Sequence, residues 1–319
     1  MIIRLFLLLT RKLNIRRRAV SPVSVSLFRY MEGYIDGLHR LGHHRTAETY
    51  RATLNSFARF RSGEDIRLDE VDSRLMLSYE TCLKEKGLCA NTVVFYLKRL
   101  RVVYNQAVEE GVVNDCHPFR KVSVSSEKTV KRAVSVSVIR RLKKLDLDAS
   151  PSKCKARDLF LLSFYLRGMS FVDMANLRKT DLRNGVLTYR RQKTGQLLSI
   201  RWEPCMRELA ALYATPPSSP YLLSVIRDPK ADVRKQIHAA QTQVNRHLHD
   251  IGRTLKLPLP LTMYVARHSW ASIARQEGIP VSVISEGMGH DSESTTRIYL
   301  ASLEATVIDE ANRKILRLL

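Results

Sequence analysis

Close to the end of the chain, His290 and Tyr299 flank a Ser/Thr-rich run in GHDSESTTRIYL. A tyrosine there can be a packing residue, but its phenol can also attack phosphorus. Phosphoryl transfer without a metal makes three further demands. The non-bridging oxygens must be neutralised, which arginine does best because its guanidinium is planar, permanently charged and bidentate toward phosphate. A positioned acid must protonate the leaving oxygen. The nucleophile must be one that can be esterified and later displaced. Three other segments carry suitable residues. SFYLRGMSFVDMANLRKTDL ends an apolar run at Arg167, a costly place for a charge without an anionic partner. RRQKTGQ puts Lys193 in a turn, and LTMYVARHSWASIA opens a helical pattern with Arg267 and His268. Taken singly, each has an ordinary structural explanation: Arg167 can pair with Asp173, Lys193 can be a solvated turn lysine, and a lone Arg-His pair means little.

The elements that must position these residues are legible from periodicity. Lys193 sits between two short extended runs in VLTYRRQKTGQLLSIRW, the pattern of a β-hairpin. SVSVIRRLKKLDL, the apolar SKCKARDLFLLSFYL, RKQIHAAQTQVNRHLHDIG and ARHSWASIARQEG read as helices. Upstream, residues 27–120 are helical in pattern. One helix shows Ala47, Tyr50, Leu54, Phe57 and Ala58 on a single face. Another carries the stripe Val93, Leu97, Leu100, Tyr104, Ala107 and Val108, with Asn91 as N-cap and Gly111 as C-cap. Lys98, Arg99 and Arg101 are expected on its other side. The basic, Ser/Val-rich stretch HPFRKVSVSSEKTVKRAVS has no apolar period and reads as a linker whose cations, Lys131 and Arg132 among them, can follow a phosphate backbone. The expected organisation is a basic, poorly ordered leader (1–20), a helical domain (21–118), a linker (119–134) and a second domain (135–319).

Composition narrows the partner. The chain has 319 residues, 53 Lys and Arg against 31 Asp and Glu, and a net charge of +22. Such a balance points to a polyanion, nucleic acid first and an anionic membrane second. The membrane reading is weak. The only N-terminal apolar run, Leu5 to Leu9, is too short to span a bilayer or to act as a signal segment, and RKLNIRRR follows directly. A cytoplasmic protein without a membrane partner is expected. Five cysteines (Cys82, Cys89, Cys116, Cys154, Cys205) form no CxxC pair and are expected to be small buried apolar residues, not a disulfide or zinc framework. There is no internal repeat, no Walker-type glycine loop and no metal-binding carboxylate cluster.

In order along the chain, the four segments resemble the tyrosine recombinase (phage integrase) family. ARHSWAS, then MGH about twenty residues on, then a tyrosine nine residues after the histidine are the most specific part, and the resemblance covers nearly the whole chain. It implies a mainly α protein: an all-helical, SAM-like core-binding domain followed by an α+β catalytic domain with a small antiparallel sheet. It implies that Tyr299 attacks a scissile DNA phosphate, leaving a 3′-phosphotyrosyl link and a free 5′-hydroxyl. Arg167 and Arg267 would clamp the non-bridging oxygens, Lys193 would protonate the departing oxygen, and His290 would support the phosphate. No cofactor and no metal are implied. Double-stranded DNA with inverted-repeat sites and a homotetramer on that DNA are the implied partners, with the amphipathic tail (Val307, Ile308, Ala311, Ile315, Leu318) docking on a neighbouring protomer or folding back on its own domain.

Two departures stand out. The family's histidine three residues before the second arginine is Tyr264 here, so either its phenol or His268 takes that role; helical spacing favours the phenol. The family's acid, three residues after the first arginine, is matched nearest by Asp173, six after Arg167. Two other functions remain compatible with the residues: a catalytically silent DNA-binding regulator, toward which Tyr264 leans, and a type IB topoisomerase, against which the separate helical domain and the tail argue.

Overall fold

The computed structural model describes residues 25–123, 125, 127, 132–300 and 316, with backbone alone at 298–300. The expected leader, Lys131 and the tail residues Val307, Ile308, Ala311, Ile315 and Leu318 lie outside the described residues. The chain divides into two compact units, Met1–Lys128 and Thr129–Leu319.

The first unit is built from α1 (Leu27–Arg40), α2 (His44–Phe60), α3 (Ser73–Glu85) and α4 (Ala90–Glu109). Side-chain caps start two of them: Ser26 Oγ accepts from Arg29 N, and Asp72 accepts from Leu75 N, each satisfying a donor the helix cannot. The apolar faces of all four close on one core containing Met31, Ile35, Phe57, Met76, Tyr79, Leu97 and Tyr104. Of the α4 stripe, Val93, Leu97, Leu100, Tyr104 and Ala107 are buried, and Val94 and Val103 join them. Asn91 does not cap α4; Cys89 occupies that position. The Asn91 amide clasps Glu127 instead, accepting from its backbone N–H (2.9 Å) and donating to its carbonyl (3.1 Å). Gly111, with φ of +72°, follows the C-cap Glu110. The segment read as a linker begins with two core residues, Phe119 and Val122, buried in this unit.

The second unit runs α5 (Val136–Lys144), α6 (Pro151–Tyr165), α7 (Phe171–Ala175), β1 (Leu182–Arg183), β2 (Val186–Arg190), β3 (Leu197–Arg201), α8 (Pro204–Leu212), α9 (Val233–Thr254), α10 (Met263–Gln276), α11 (Val281–Met288) and α12 (Glu293–Leu300). The sheet is antiparallel in the order β1-β2-β3, with Arg190 opposite Leu197 closing the hairpin. Its inward residues are Leu187, Tyr189, Leu198 and Ile200, alternating with outward neighbours as a one-sided sheet requires. α6 is buried along Leu159–Ser163 and packs against both α9 and α10, which is why its sequence is apolar on most sides.

The five cysteines are free, and none is buried: Cys89 and Cys116 are exposed and the other three half-buried, so burial does not explain them. Among the described residues no helix is long and apolar enough to cross a membrane.

Candidate active site

The site assembles around Arg267, the fifth residue of α10 and not its first. Arg267 is only 5% exposed, and Gly168, Met288 and His290 help to hold its guanidinium. Nη1 donates to the Gly168 carbonyl (3.0 Å), Nη2 donates to the Met288 carbonyl (2.7 Å), and Nη2 also faces His290 Nε2 at 2.9 Å. These partners come from the turn after α6 and the end of α11. Close approach explains the residue at 168: a Cβ there would lie 2.6 Å from Arg267 Cα, and φ is +70°, so only glycine fits. Arg167, just before it, is half-buried and adopts φ of +58°, a left-handed conformation that a residue with a Cβ takes at a cost.

A second buried guanidinium, Arg191, was not among the residues singled out from the sequence. It follows β2 directly and is 7% exposed. Nη1 donates to the Gly289 carbonyl, and Nε lies 3.9 Å from Asp173 Oδ2. Among the described residues Nε has no hydrogen-bond acceptor, an orphaned buried donor suited to an anion. Gly289 makes this contact possible: at φ of +64° a Cβ would come within 2.8 Å of Arg191 Cδ. Asp173 braces the same loop. Its Oδ1 accepts from Gln192 N (2.8 Å) and its Oδ2 from Ser170 Oγ (2.7 Å). The acid therefore partners Arg191, not Arg167. The displaced spacing of Asp173 and the doubled arginine in RRQK were the available signals.

His290 is neutral. Burial, then the Arg267, Arg191 and Lys193 charges, hold its pKa down to about 4. The residue facing its Nε2 is a guanidinium, which has only donors, so Nε2 accepts and the proton sits on Nδ1. Nδ1 is 2.7 Å from Thr296 Oγ1 on α12, the helix that carries Tyr299. The nearby phenol of Tyr189, on the buried face of the hairpin, is pushed up to about 12 by desolvation and by Asp173, while Arg267, Arg191 and Arg167 all act on it in the opposite direction. Three guanidiniums and one carboxylate thus share one neighbourhood.

Lys193 is exposed in the hairpin loop, where its charge reaches His290. Tyr264 stands one turn before Arg267 and is 54% exposed, its ring packed edge-on against the buried His268 at 4.4 Å between centroids. In the first unit Lys98 and Arg101 are exposed on α4, and Arg132 is exposed in the second unit. Arg99 does not project into solvent: its guanidinium lies 3.5 Å from the Phe95 ring centroid, and Nη1 donates to the Phe95 carbonyl. Burial lowers its pKa. A cavity of about 330 Å³, lined by Lys155, Arg227 and His247 among others, contains none of the site residues.

Residues 26–124 match the phage integrase SAM-like domain, and residues 137–306 match the phage integrase family. The chain belongs to the phage integrase family. This integrase-family chain is similar to the tyrosine recombinase XerA of Pyrococcus furiosus, with 27% identity over 232 residues covering 71% of this chain and 75% of that protein. Its fold is similar to that of lambda integrase as a tetramer bound to a Holliday junction (TM-score 0.66, 18% identity, 92% of this chain and 80% of that one). It is likewise similar to the Tn1549 transposon integrase in complex with a circular intermediate DNA (TM-score 0.66, 14% identity, 93% and 100%).

Proposed function

We propose that this protein cuts and rejoins DNA at specific sites with Tyr299 as its nucleophile. Family membership makes the chain a tyrosine recombinase, an enzyme of DNA strand breakage and rejoining. The Tyr299 oxygen attacks the scissile phosphorus, the bond to the 5′-oxygen breaks, and Lys193 delivers a proton to that leaving oxygen. The 3′-phosphotyrosyl ester conserves the energy of the phosphodiester, so a 5′-hydroxyl can attack it and reseal the strand. Arg267 and Arg191 neutralise the non-bridging oxygens from buried, preorganised positions, and Arg167 adds charge from the adjoining turn. Tyr264 offers its phenol as a hydrogen-bond donor at the histidine position of the family pattern.

The observation that carries this reading is the convergence of two buried guanidiniums and a neutral histidine at the foot of the helix bearing Tyr299. A protein that only reads DNA has no need for such a group of buried cations, which are costly to desolvate. The charge of +22 supports DNA as the substrate, with Lys98, Arg101, Lys131 and Arg132 on its backbone. Likeness to lambda integrase, a tetramer on a Holliday junction, supports a homotetramer on DNA as the working unit; that the DNA bears inverted-repeat sites and that the protein acts in the cytoplasm are parts of the same proposal. A nicked duplex that traps the covalent intermediate tests the reading: a denaturant-stable protein–DNA adduct is expected, and its absence contradicts it.

A further inference from the structure

We propose that Thr296 is a positioning residue for this reaction, its hydroxyl fixing the tautomer of His290 and so joining the nucleophile's helix to the Arg267 guanidinium. The inference rests on the reading of Tyr299 and Arg267 given above. Two steps link the helices: Thr296 Oγ1 to His290 Nδ1 at 2.7 Å, and His290 Nε2 to Arg267 Nη2 at 2.9 Å. Chemistry sets the direction of each. The guanidinium can only donate, so Nε2 must present its lone pair. A neutral imidazole then carries its proton on Nδ1, and that proton needs an acceptor. The Thr296 hydroxyl is that acceptor.

Thr296 is completely buried, so its hydroxyl is held in place against the imidazole. Without that oxygen the Nδ1–H loses the hydroxyl that accepts from it. Moving the proton to Nε2 relieves this but sets an N–H against a guanidinium that has no acceptor. Either way the hold on Arg267 weakens. Thr296 lies on α12, one turn ahead of Tyr299, so a displacement of the nucleophile's helix is felt at the guanidinium through the same two bonds.

The test reads the tautomer and the chemistry separately. The full-length protein, labelled with ¹⁵N-histidine, is examined at pH 7 by long-range ¹H–¹⁵N NMR, with the His290 signal assigned through H290Q. Thr296→Val keeps the shape and removes the oxygen; Thr296→Ser keeps the hydroxyl. The wild type and T296S are expected to show protonated Nδ1 at His290, and T296V to shift toward protonated Nε2. Single-turnover cleavage of a nicked duplex should fall about 10- to 100-fold in T296V, by analogy with groups that orient metal-ligating histidines, and recover in T296S with DNA affinity unchanged throughout. Protonated Nε2 in the wild type, or an unchanged tautomer in T296V, overturns the proposal. If T296V does not fold, the tautomer of the wild type and the activity of T296S still decide. An inactive wild type with protonated Nδ1 supports the Thr296–His290 link and counts against the reading of Tyr299.

Discussion

Asp173 holds the loop that carries Arg191: one carboxylate oxygen accepts from the Gln192 N–H at 2.8 Å, and the other lies 3.9 Å from Arg191 Nε. Asp173 is 4% exposed and Arg191 7%, so each charge offsets the burial of the other. The pair links short helix α7 to the end of β2 and aims a second arginine into the neighbourhood of Arg267.

Arg191 is therefore expected to contribute more to cleavage than Arg167. Arg191→Gln should lower the single-turnover rate by about 10²–10³, the cost of losing a preorganised charge stabiliser, and Arg167→Gln by less. Rates on a nicked duplex, measured beside DNA affinity, check this. The opposite order would return the first phosphate clamp to Arg167.

Lys193 is expected to act as a general acid. Lys193→Ala should slow cleavage by about 10²–10⁴ on ordinary DNA. A substrate with sulfur at the leaving 5′ position needs no proton, since a thiolate departs unaided, and should restore most of the rate. Equal defects on both substrates would assign Lys193 to charge stabilisation alone.

His290 makes a prediction about stability against pH. Its pKa is about 4 in the fold and 6.5 when unperturbed, so between those values the unfolded chain binds the extra proton. Stability should thus fall as pH drops from 6.5 toward 4 and be unaffected by this group above that range. Carboxylates also titrate at the acid end, so the readout is a difference. Tm should decline less steeply in His290→Gln than in the wild type, and identical slopes would contradict the neutral, half-buried imidazole.

Much of the architecture was legible because it follows from local pattern. The hairpin around Lys193 is announced by alternating residues and a KTG turn, and the α4 stripe by helical spacing. Arg267 and His290 could be singled out from motif spacing, and the fold brings them to 2.9 Å. Arg191 was signalled only weakly, by the displaced Asp173 and the doubled arginine in RRQK. Its partners, Asp173 and the Gly289 carbonyl, are distant in sequence, and a second arginine beside a turn lysine looks like ordinary surface charge. Asn91 misled for a related reason: its type suits a cap, but the acceptor and donor it serves belong to Glu127. Arg99 has the spacing of an exposed cation, yet the neighbouring Phe95 ring draws it down onto the helix surface.

The central claim is that Tyr299 becomes esterified to a DNA strand. Trapping the adduct on a nicked duplex, digesting the protein and sequencing the nucleotide-bearing peptide by mass spectrometry tests it most directly. The modification should fall on Tyr299, with none on Tyr264, and Tyr299→Phe should bind DNA without forming any adduct. A nucleotide on a different residue, or an adduct that persists in Tyr299→Phe, would contradict the account.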